Sequence, residues 1–133
     1  MKNRKAFTLV ELLVVIAIIA ILAVAGVVGY TVFIDKAHKS NAVRDLTDIR
    51  TLIIAEDTSN EDFEITTNGI IVFATGVAGT DDAAKFKTVI TGASDTELAA
   101  LVSKLTYHAD NKTIVYESGD ASATWHLEDN TID

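Results

Sequence analysis

The chain of 133 residues has no cysteine and no proline. Without cysteine there is no disulfide, no thiolate nucleophile and no cysteine-based metal site, so packing alone must stabilise any folded part. Without proline, no residue in a helix interior is forced to give up its backbone donor. Basic charge is scarce. Lys2, Arg4 and Lys5 account for three of the 11 Lys/Arg, and Glu11 for one of the 19 Asp/Glu. The remaining 8 and 18 leave the chain after residue 34 with a formal charge of −10. That balance opposes non-specific nucleic-acid binding, so no nucleic-acid partner is expected for this part. No glycine-rich loop follows a strand, and no nucleophile motif holds the serines and histidines together. His38, His108 and His126 are the only histidines. His108 and His126 are placed on adjacent strands as a surface pair without a third ligand. No catalytic residue, metal or cofactor is therefore expected, and Phe7, Tyr30 and Phe33 are too sparse to form an electron path.

What the chain does have is one long apolar run. From Leu12 to Ile34 there is no charge, histidine, asparagine or glutamine. About 20 such residues span a bilayer as a helix. Lys2, Arg4 and Lys5 precede the run and hold that end in the cytoplasm. Glu11 stands at its head, where a carboxylate is costly and suggests a function. A secretory signal peptide would use Ala23-Val24-Ala25 as its cleavage site, but Glu11 and the apolar residues beyond Ala25 oppose that. A plain membrane anchor would let Glu11 snorkel to the interface.

A third reading rests on "KAFTLVELLVVIAIIAILA". This stretch resembles the N-terminus of type IV pilins and pseudopilins, in Phe7, Thr8, Leu9, Val10 and Glu11 together with the basic leader and the apolar helix. The resemblance covers residues 1 to about 34. It implies a leader peptide 1–6 cut between Ala6 and Phe7 by a prepilin peptidase, with methylation of the new Phe7 amine. It also implies pairing of Glu11 with the N-terminal amine of a neighbouring subunit. Glu11 falls four residues after Phe7, one turn away on the same helical face and within the dipole-favoured first turn. Two departures stand out. Ala6 replaces the usual glycine before the cut, which is expected to slow processing rather than abolish it. Gly26 and Gly29 occupy the region where many pilins carry proline. They mark either a place where the helix stretches in a filament or close packing through small residues.

Beyond the run, Ala42/Val43, Leu46, Ile49/Arg50 and Ile53 recur at helical spacing, so the helix is expected to continue from Phe7 to about Asp57. "EDTSNEDFE", residues 56–64, is expected to end it as a solvated acidic loop rather than a calcium site. "FEITTNGIIVFATG" predicts a hairpin about Asn68-Gly69. "TDDAAKFKTVITG" has a weak helical pattern. Residues 94–105 predict a helix with Ser94 and Glu97 as a capping box. "KLTYHADNKTIVYES" and "SATWHLED" predict a three-stranded antiparallel meander. The expected fold is α+β: a long N-terminal helix packed on a small antiparallel sheet, pilin-like. It divides into leader 1–6, a membrane or filament-core helix 7–34, and a head 35–133.

The function implied by the resemblance is a structural, non-enzymatic subunit of a type IV pilus. Its partners are itself as a helical homopolymer, the prepilin peptidase and the pilus assembly machinery. Its location is single-pass in the cytoplasmic membrane before assembly and an extracellular filament after it. The alternative is a pseudopilin of a type II secretion or competence machine.

Overall fold

The computed structural model describes residues 7–133, and the expected leader 1–6 lies outside them. Helix α1 spans Leu9–Ser59. The chain divides into two compact units, with the boundary between Lys36 and Ala37. In the first unit α1 runs unbroken through Gly26 and Gly29, and every residue from Phe7 to Phe33 is exposed. A helix apolar on all sides is incompatible with water and calls for lipid or other helices around it.

In the second unit the remaining part of α1 buries Ala42, Leu46, Ile49, Ile53 and Glu56. This is the expected apolar stripe, extended one step to a carboxylate. The helix ends at Ser59, within two residues of the expected Asp57. The hairpin pairs β1 (Phe63–Ile65) with β2 (Ile71–Phe73), and Phe63 faces Phe73. Its loop turns at Gly69, whose φ is 69°. A Cβ on Gly69 would stand 2.6 Å from the Glu128 backbone nitrogen, so glycine is required there twice over.

Helix α2 (Asp82–Gly92) is capped by the Asp81 carboxylate and buries Phe86, Val89 and Ile90. Helix α3 is shorter than expected, Thr96–Ala100, and a 3₁₀ turn at Val102–Lys104 follows. Its cap is Asp95, which accepts from the Glu97 and Leu98 backbone N–H groups. The expected Ser94–Glu97 box does not form, because the Ser94 hydroxyl donates to Glu56 instead.

The second sheet has four antiparallel strands, not three: β3 (Leu105–His108), β4 (Thr113–Ser118), β5 (Ala121–His126) and β6 (Thr131–Ile132), in that order. Tyr107, Ile114 and Trp125 lie opposite one another across β3, β4 and β5 and are buried. The short β6 exists because Asn130 adopts φ 60°, a left-handed conformation that asparagine tolerates. Asn130 is gripped from two sides: the Trp125 indole donates to its side chain at 3.0 Å, and Arg50 donates to its carbonyl at 3.2 Å. Thr131 donates through its hydroxyl and its N–H to Asp129, and these bonds hold that carboxyl below its usual range. Burial pushes the Tyr107 phenol above its usual value.

Candidate functional site

The residues at the head of the apolar helix form a closed hydrogen-bonded unit. Thr8 precedes the first helical residue, and its carbonyl accepts from Leu12 at 3.3 Å. The Thr8 hydroxyl oxygen accepts from the Glu11 N–H at 3.2 Å. In return, Glu11 Oε2 accepts from the Thr8 N–H and from the Thr8 hydroxyl, both at 2.9 Å. This is a complete capping box: two donors of the first turn that have no intrahelical partner are satisfied reciprocally. The carboxylate also sits where the helix dipole favours negative charge.

The arrangement changes the geometry expected from spacing alone. Phe7 lies outside the helix, before the cap, and is 83% exposed. The four-residue step from Phe7 to Glu11 is therefore not a helical i, i+4 relation, and the carboxylate turns to Thr8. The signal was present in the sequence, since Thr8-Leu9-Val10-Glu11 has the S/T-x-x-E spacing ahead of an apolar run. Leu9 and Val10 are exposed on the first turn. Ala6, the expected residue before the cut, lies outside the described residues. Gly26 and Gly29 have open space about them, and a Cβ on either would meet nothing within 4 Å.

A second carboxylate, Glu56, is buried, although the sequence pattern places it at the start of a solvated acidic loop. Its Oε1 accepts from the Asn60 amide at 3.0 Å and the Ser94 N–H at 3.2 Å, and its Oε2 from the Ser94 hydroxyl at 3.0 Å. Asp57, the next residue of α1, accepts from the Ile65 N–H at 2.7 Å. His108 and His126 are not on adjacent strands: both stand opposite Thr113, one on each side of β4. Among the described residues, no group of three or more His, Asp or Glu side chains is arranged to hold a metal ion.

Residues 1–27 match the family model described as the prokaryotic N-terminal methylation motif. This is the leader signature of type IV pilins and pseudopilins, and here it heads a helix long and apolar enough to cross a membrane. With the small antiparallel sheets that follow, the chain has an α+β, pilin-like arrangement and the features of a type IV pilin-like or pseudopilin precursor. No curated protein and no solved structure matches the chain.

Proposed function

We propose that the chain is a structural subunit of a type IV pilus. In this reading a prepilin peptidase cuts between Ala6 and Phe7 and methylates the Phe7 amine. The subunit waits as a single-pass protein of the cytoplasmic membrane until the assembly machinery stacks helices 7–34 into a filament. The observation that carries the reading is the methylation motif with Glu11 held in the first turn of an exposed apolar helix.

The chemistry follows from charge. Cutting the leader creates an amine, and methylation leaves it cationic. A lone carboxylate in lipid costs about 2.5–3.5 kcal/mol on the insertion scale. The Phe7 amine of a second copy offsets that cost only at one axial register, so the register is selected. The subunit's own Phe7 precedes the cap and has no helical alignment with Glu11, which favours the partner's amine.

Two measurements test the reading. Mass spectrometry of the native protein is expected to find a methylated Phe7 at the N-terminus. An N-terminus at Gly26 would indicate a signal peptide, and an intact Met1 a plain anchor. Glu11→Gln, as the sole subunit, is expected to reach the membrane and be cleaved, yet to lose about tenfold or more in sheared filaments, equivalent to at least about 1.4 kcal/mol. Wild-type yield from Glu11→Gln would overturn the pairing. Electron microscopy separates the pilus, with long surface filaments, from the pseudopilin alternative, with short ones.

A further inference from the structure

Glu11 does not present its carboxylate as a free side chain. Both hydrogen bonds from Thr8 converge on one oxygen, Oε2, and the return bond from the Glu11 N–H closes the ring. Among the described residues no group bonds Oε1. We infer that Thr8 is a positioning residue for assembly: it locks the Glu11 side chain through Oε2 and reserves Oε1 for the Phe7 amine of a second copy. This rests on the pairing of Glu11 proposed above.

Two physical points support it. A glutamate fixed in advance has little rotamer freedom left to lose when the amine docks. The donors that fix it are a hydroxyl and an amide, both neutral, so the negative charge is held in place without being cancelled. A lysine or arginine in the same position would have satisfied the carboxylate and removed its attraction for the incoming cation.

The test uses the full chain, with each variant co-expressed beside wild type. Mass spectrometry measures its share in sheared filaments against its share in the membrane. Thr8→Val keeps the shape of threonine and removes the hydroxyl, leaving the backbone bond to Oε2. Its incorporation is expected to fall about two- to tenfold, the equivalent of ordering one side chain. Thr8→Ser is expected to restore wild-type incorporation. Adding Thr8→Val to Glu11→Gln is expected to cause no further loss, because threonine acts through the charge. Full incorporation of Thr8→Val beside a deficient Glu11→Gln would overturn this inference and leave the pairing intact. A further loss in the double variant would reduce Thr8 to a plain helix cap. Accumulation of uncleaved Thr8→Val precursor would move its role to processing. Normal incorporation of Glu11→Gln would instead sink the pairing itself.

Discussion

Glu56 and Glu11 are two carboxylates on one helix in opposite circumstances. Glu11 is exposed and bonded within its own turn, whereas Glu56 is 4% exposed and reaches a residue 38 positions away. Ser94 and Asn60 supply Glu56 with neutral donors only. Removing it would leave the Ser94 N–H and the Asn60 amide without that acceptor. Glu56→Ala is therefore expected to destabilise the head by about 1–3 kcal/mol. Glu56→Gln keeps the shape but turns an amide NH₂ toward other donors, and about 1 kcal/mol is expected. Urea denaturation of both variants checks this, and unchanged midpoints would show that the latch contributes nothing. The residue was legible in part: the buried positions 42, 46, 49 and 53 are spaced four, three and four apart, and the next step of three falls on Glu56. Its partner was not legible, because Ser94 also fits a local capping pattern.

At the scale of elements, the helix start and the helix middle ask different things of sequence. The start is decided by hydrogen bonds between residues three apart, so Thr8 and Glu11 suffice to place it. The middle carries Gly26 and Gly29, each about 1 kcal/mol less favourable in a helix interior than alanine. Neither is imposed by packing within the chain, since both have open space for a Cβ. Gly26→Ala and Gly29→Ala are thus expected to raise helix stability in detergent micelles, read by circular dichroism during heating. The same variants are expected to lower filament yield, whether the filament stretches the helix there or packs it closely. Full assembly of the double variant would show that the glycines serve no purpose in the polymer. In the head, the Ser94–Glu97 spacing failed where Thr8–Glu11 succeeded. Asp95 lies one residue nearer the helix and caps it through two backbone donors, while the core claims the Ser94 hydroxyl.

For the molecule as a whole, the division at Lys36–Ala37 separates a unit with no buried residue among its described residues from one that holds the entire described core. Residues 37–133 bring helix and sheet together through apolar packing, the Arg50–Asn130 bond and a Tyr116 hydroxyl donated to Asp45 at 3.3 Å. This fragment is expected to fold as a soluble acidic monomer, checked by circular dichroism and sedimentation. An unfolded or aggregated fragment would show that the head depends on the apolar helix. Its negative charge also predicts no retention of DNA at physiological salt.

The sequence by itself determined the apolar helix with its carboxylate at the head, the inward stripe of α1, and the hairpins about Gly69 and residues 109–112. Each depends on a short-range pattern: hydrophobic period, turn chemistry, or a charge placed among apolar residues. Tertiary structure alone decided how polar side chains were shared. It took Ser94 from a helix cap for Glu56, and it added β6 by holding Asn130 between Trp125 and Arg50. It set β4 between His108 and His126. The reason is competition. A donor or acceptor has several partners available nearby in sequence, and burial selects the one whose loss would leave a polar group dry.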